Sequence, residues 1–162
     1  MANTDELRKT VMLKATLARV WRALSDAREF GSWFGASFDS PFLVGAAVQG
    51  TIQQTKADAH VASLQAPFVG KPMVIVIEAM EPPTRFAFRW HPYELRADEL
   101  ATTAPMTLVT FSLREVAEGV ELTITESGFS RLPADRRARA FADNDGGWTM
   151  QCTLVSNWVA RG

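Results

Sequence analysis

Residues 148–160 constrain this chain more than any other segment. Asn144-Asp145-Gly146-Gly147 leads into them, and Trp148, Gln151, Cys152, Val155, Trp158 and Val159 then fall close to one helical stripe, widened by Met150 and Leu154. Side chains three and four apart share a face of an α-helix, so a stripe this apolar has to be buried against something broad. The residues ahead of it are rich in strand signals, and the concave face of a twisted antiparallel sheet meets that need. A long terminal helix lying on a curved sheet can enclose space. The first functional expectation is therefore a container for an apolar small molecule.

The strands follow from period-two patterns and β-branched runs. Residues 7–15 place Val11 and Leu13 on one side and Thr10, Met12 and Lys14 on the other. Residues 47–55 and 73–80 follow, the latter holding Val74-Ile75-Val76-Ile77; Glu81-Pro82-Pro83-Thr84 is a turn that no helix could cross. Residues 85–91 put Phe86, Phe88 and Trp90 on one face and Arg85, Arg89 and His91 on the other. Residues 106–115 and 120–127 read as a hairpin joined near Glu118-Gly119. Between the first strand and the rest, Leu17, Val20, Trp21 and Leu24 form a helical stripe capped by Thr16. A short aromatic helix across Phe30, Trp33 and Phe34 ends at Gly35. Residues 56–72 and 92–105 exceed ordinary loop length and are candidates for a lid or rim, a partner-binding surface or a flexible insertion. Residues 132–142 predict a short helix, and Asp143 to Gly147 predict a bend before the terminal helix. The expectation is one α+β domain over residues 1–162.

One residue breaks the apolar alternation. Val120, Leu122, Ile124 and Glu126 share a face, so Glu126 points inward. A buried carboxylate must find donors or take up a proton. Two readings compete: a cavity acid that acts on or anchors a ligand, and a structural carboxylate that ties down the next loop through backbone amides or an arginine. The aromatics form a second constellation, and most of them are core. The residues placed to line a cavity are Trp33, Phe88, Trp90, Glu126, Trp148 and Cys152. Cys152 has no histidine beside it and reads as an inert thiol. His60 and His91 lack metal-ligand spacing, and His91 continues the expected outer face of Arg85 and Arg89.

Several classes drop out. Seventeen basic residues nearly balance eighteen acidic ones, so there is no excess charge to grip a phosphate backbone, and no nucleic acid is expected as partner. No apolar run approaches the roughly 18 residues that span a bilayer. The polar first nine residues resemble neither a signal nor a transit peptide, and with a single cysteine a cytoplasmic location is expected. Phosphate loops, nucleophile elbows and zincin motifs are missing, so neither cofactor nor metal is expected.

Particular segments resemble a known family. Val20-Trp21-Arg22-Ala23-Leu24-Ser25-Asp26, followed by Phe30-Gly31-Ser32-Trp33-Phe34-Gly35, is similar to the opening of bacterial proteins related to the C-terminal domain of the heat-shock-protein-90 ATPase activator. Arg85-Phe86-Ala87-Phe88-Arg89-Trp90, Thr125-Glu126-Ser127-Gly128-Phe129 and Asn144-Asp145-Gly146-Gly147-Trp148 resemble later motifs of that family. The resemblance implies the helix-grip fold of the START-like, Bet v 1-like or SRPBCC superfamily: a curved antiparallel sheet around a long C-terminal helix, with two short helices after the first strand. The superfamily includes lipid and hormone carriers, polyketide cyclases and the co-chaperone.

Three functions stay open. The leading one is a binding module for an apolar or amphipathic small molecule between the sheet and the last helix. A chaperone-associated interaction protein would use the outer face at Arg85 and Arg89. A cyclase-like or hydrolytic enzyme would use Glu126 with an arginine or the hydroxyl of Tyr93, the single tyrosine. A shortage of convergent polar groups weighs against that last reading. A homodimer through a sheet edge or a helix is compatible with all three.

Overall fold

The computed structural model describes residues 5–162. Strand β1 (Glu6–Leu13) leads into helices α1 (Leu17–Ser25) and α2 (Ala27–Phe34). A meander follows: β2 (Ala36–Phe38), β3 (Ala47–Ile52), β4 (Pro72–Glu81), β5 (Arg85–Trp90), β6 (Thr107–Val116) and β7 (Gly119–Ser127). Helix α3 (Ala59–Gln65) lies between β3 and β4, and α4 (Ala134–Ala160) closes the chain. The strands make one antiparallel sheet in the order β1-β7-β6-β5-β4-β3-β2. The meander thus runs from one edge back to β1, and the curved sheet holds α4 against it in the helix-grip arrangement.

Local chemistry sets the two short helices. The Thr16 hydroxyl accepts from the Arg19 amide at 3.2 Å, capping α1. Asp26 serves both helices: its amide donates to the Arg22 carbonyl at 3.1 Å, and its carboxylate accepts from the Arg28 and Glu29 amides at 3.0 Å. Gly35 ends α2 at φ 102°, a left-handed conformation that costs glycine least. Gly31 is needed for a different reason. A β-carbon there would stand 2.1 Å from the Ala36 carbonyl oxygen, where the chain folds back into β2.

The core lies between α2, α4 and the concave face of the sheet. Phe30 stands at its middle, edge-on to Trp33 at 4.8 Å, stacked on Phe34 at 5.1 Å, and in contact with Phe86, Phe88 and Phe111 from β5 and β6. Burying a ring of this size stabilises by roughly 1.5–3 kcal/mol, so this cluster is a main source of stability. At the far end of α4, the Trp158 indole donates to Glu29 at 2.9 Å, and Arg19 and Arg22 pair with the same carboxylate. Burial alone would raise the Glu29 carboxyl. Trp158, Arg22 and Arg19 outweigh it and hold that group below the ordinary range.

Three expectations need correction. The bend at Asp143 to Gly147 does not exist: α4 runs unbroken through it. Two glycines in a helix cost about 1 kcal/mol each relative to alanine. Tertiary bonds outweigh that cost, because Asn144 and Trp148 both donate to Glu126 and Asp145 pairs with Lys9 at 2.9 Å. The 56–72 connection is not a plain loop. Asp58 caps α3 by accepting from the Val61 amide at 2.9 Å, and a 3-10 turn, Ala66–Phe68, follows it. His91 lies one residue past the end of β5, and both of its ring nitrogens are shielded from solvent, so it is not the open surface residue expected.

Gly146 has open space where a β-carbon would go. Gly146→Ala is therefore expected to raise unfolding free energy by about 0.5–1 kcal/mol, read by urea denaturation. A loss of stability would mean that the helix does not run through this position.

Candidate functional site

Glu126 is fully buried, with 0% exposure. It stands opposite Val109 in the register of β6 and β7, which sets Thr107 diagonally beside it on the same face. Thr107 in turn faces Trp90 across β5 and β6. The Trp90 indole N–H donates to Glu126 Oε2 at 2.9 Å and the Thr107 hydroxyl at 2.6 Å. From α4, Trp148 Nε1 donates to Oε1 at 2.8 Å, and Asn144 Nδ2 reaches Oε1 at 3.0 Å and Oε2 at 3.2 Å. Asn144 and Trp148 are one helical turn apart, so both point the same way. Both oxygens act as acceptors, the role of an ionised carboxylate. Its partners are neutral donors, neither backbone amides nor an arginine.

A cleft of about 730 Å³ opens on the other side of Trp90. Its floor is Phe34 and Gly35 at the end of α2. One wall is the sheet, through Ile52, Met73, Val74 and Trp90, and α4 contributes Asn144 and Gln151. Gln65 of α3 and Phe68 lie on a third side. The loop after β5 covers the fourth with Pro92, Tyr93, Glu94 and Leu95. Helix α4 holds this loop. The Arg136 guanidinium lies 3.7 Å from the Tyr93 ring centroid, donates to the Glu94 carbonyl at 2.8 Å and pairs with Glu99. The Arg96 amide, at 2.7 Å, has the largest influence on the Glu99 carboxyl and, with Arg136, holds it below the usual range against burial. Lys71 and Glu94 bridge the mouth at 3.0 Å.

The predicted site residues divide around this cleft. Trp90 forms its wall. Glu126 and Trp148 lie behind that wall, and their link to the cleft runs through Trp90 and Asn144. Trp33 and Phe88 are fully buried among core rings and do not border it. Cys152 is half-buried on α4, away from the cleft; burial pushes its thiol up, opposed by the Lys9 charge. The space directly beneath α4 is filled, with Phe111 and Trp148 rings 5.8 Å apart. The open volume therefore sits to one side of α4, over β3, β4 and β5.

Sequence reading considered Tyr93 only as a partner of Glu126 in an enzyme, and left His91 and Gln151 out of the site. Among the described residues, both His91 ring nitrogens, the Tyr93 hydroxyl and Gln151 Oε1 are shielded from solvent and have no hydrogen-bond partner. A buried polar atom left unmet costs about 1–3 kcal/mol, so several around one cleft are informative. Burial, with Glu99 nearby, pushes the Tyr93 hydroxyl up, which keeps it protonated as a donor. The one sequence signal was Pro92, which has no N–H to continue the ladder and so stops β5 close to His91. A second cleft, of 840 Å³, borders Asp26, Arg28, Ser32 and Lys56, but its lining is largely polar. Ligand sites are mostly apolar with a few convergent polar groups, which favours the first. Among the described residues, no His, Cys, Asp and Glu group is arranged to hold a metal, and no helix is long and apolar enough to cross a membrane.

Glu126→Gln turns one acceptor oxygen into a donor that faces an indole or hydroxyl donor. It is expected to cost on the order of 3 kcal/mol, lowering Tm by roughly 6–12 °C in a thermal melt. An unchanged Tm would show that the carboxylate does not join α4 to the sheet.

Solved structures share the fold. A protein from Mesorhizobium loti superposes with a TM-score of 0.70 at 18% identity, over 96% of this chain and 97% of that one. A protein from Arthrobacter aurescens gives 0.70 at 15% identity, over 100% and 91%. DynU16, a protein in the dynemicin biosynthetic locus, gives 0.66 at 23% identity over 96% of this chain, which spans about half of it, 47%. No curated protein matches the sequence. The sequence pattern of the family described as "Activator of Hsp90 ATPase homolog 1-like protein" matches residues 14–154. With that match over most of its length, and with the helix-grip architecture above, the chain belongs to the activator of Hsp90 ATPase homolog 1-like family.

Proposed function

We propose that this protein is a binding module for an apolar or amphipathic small molecule, held in the cleft beside Trp90. The observation that carries this reading is the cleft itself: about 730 Å³, walled by Phe34, Ile52, Met73, Val74, Trp90 and Leu95, with a few unpartnered polar atoms around it. That volume lies within the usual range for small-molecule sites. Trp90 is preorganised as a wall, because its N–H is tied to Glu126 and its ring packs on Phe34, Phe88 and Trp148 at 5.9, 5.4 and 5.6 Å. A wall already fixed before binding loses little entropy when a ligand arrives. Met73 gives one side adaptable packing. DynU16's place in a biosynthetic locus is in keeping with a fold that handles small molecules.

On this reading Glu126 positions residues rather than reacting with anything. It has no exposed surface, and Trp90, Thr107, Asn144 and Trp148 take up both of its oxygens. The chaperone-directed reading gains nothing from Arg85 and Arg89, which pair with Glu81 and Glu78 as ordinary exposed ion pairs.

Thermal melts against a panel of fatty acids, sterols and aromatic compounds test the proposal. A ligand present at about a hundred times its Kd should raise Tm by roughly 5–10 °C. Met73→Trp, on the same face of β4 as the Trp90 wall, fills the cleft and should fold normally and lose that rise. If no compound stabilises the wild type more than the filled variant, the cleft is not a binding site.

A further inference from the structure

We infer that the cleft takes an uncharged amphiphile whose apolar body carries a hydroxyl group, an alcohol or a phenol, in preference to a carboxylate or a phosphate. This rests on the reading of the cleft as a binding site and adds the class of its ligand.

The argument starts at Gln151. Its Nε2 donates to the Phe34 carbonyl at 3.1 Å, and Gln65 Nε2 donates to the same carbonyl at 3.2 Å. A carbonyl can be met only by the nitrogen end of each amide, so both orientations are fixed. Gln65 Oε1 is satisfied by the Thr55 amide at 2.7 Å, whereas Gln151 Oε1 is met by nothing among the described residues. That oxygen requires a donor. The same lining carries His91, whose ring in its uncharged form offers one N–H and one acceptor nitrogen, and Tyr93, whose hydroxyl offers both roles. The set therefore asks for a ligand that both gives and receives hydrogen bonds. A hydroxyl does both. A carboxylate or phosphate dianion only accepts, which leaves Gln151 unmet. An ammonium only donates, which leaves the His91 N–H unmet.

Charge points the same way. The charged residues of the lining are Lys71 and Glu94, and they are paired with each other. Behind the wall stands Glu126, buried and met by neutral donors alone. An anionic head group would have to be desolvated in the cleft while its one lysine, Lys71, is already paired with Glu94. A hydroxyl brings no charge.

The test is isothermal titration of the full chain with naphthol, naphthoate and methylnaphthalene, which share one apolar body and differ in the head group. Naphthol is expected to bind about tenfold more tightly than either of the others, the worth of one well-made hydrogen bond. Gln151→Leu removes the unmet acceptor and should bring naphthol to within about threefold of methylnaphthalene. Tyr93→Phe keeps the ring under Arg136, so it gives a second reading of the same loss should Gln151→Leu fold poorly. Equal binding of naphthol and methylnaphthalene, or tighter binding of naphthoate, overturns the hydroxyl preference while the cleft reading stands. Binding of none of the three overturns both.

Discussion

A carboxylate sealed from water has to be answered by donors, and the way Glu126 is answered organises this protein. Its partners come from two neighbouring strands and the last helix: Trp90 of β5, Thr107 of β6, and Asn144 and Trp148 of α4. Moving any of these elements leaves a buried acceptor or a buried indole N–H unmet. A single arginine would have met the charge through one element only and would have brought its own desolvation cost. Neutral donors from several elements spread the charge and fix the position of α4 on the sheet at once. They also explain why α4 stays helical across Gly146 and Gly147, where backbone preference alone would favour a break.

The same joint shapes the cleft. Trp90 has two duties, since its N–H faces Glu126 and its ring faces the open volume. Phe30, Trp33, Phe86 and Phe111 fill the space on the α2 side. What is left open lies beyond Trp90, where β3 and β4 run past α4 and the loop after β5 folds over. Arg136 of α4 clamps that loop through Tyr93 and Glu94. The position of α4, set by Glu126, therefore also sets how the loop covers the cleft.

Much of this was legible in the letters. The face of Val120, Leu122, Ile124 and Glu126 is buried throughout, and the alternation of β7 is enough to show it. The caps at Thr16 and Asp26 and the stop at Gly35 are local chemistry, so the two short helices could be read directly. What failed was whatever depends on distant partners. The Asn-Asp-Gly-Gly run looks like a break until Glu126 and Lys9 are seen to hold it. The short strand β2 has too few residues for a pattern. Which aromatics border open space is a question of how rings from separate elements fill a volume, and Trp33 and Trp90 look alike in sequence. His91, Tyr93 and Gln151 come together only through the loop and the last helix.

The most direct test of the account is hydrogen exchange at the indole N–H groups of Trp90 and Trp148, followed by NMR. If Glu126 joins the sheet to α4 as described, both protons exchange slowly, both resonate downfield of exposed indoles, and both lose protection together when Glu126 is replaced. Fast exchange at either indole in the wild-type protein would contradict the central role given to this carboxylate.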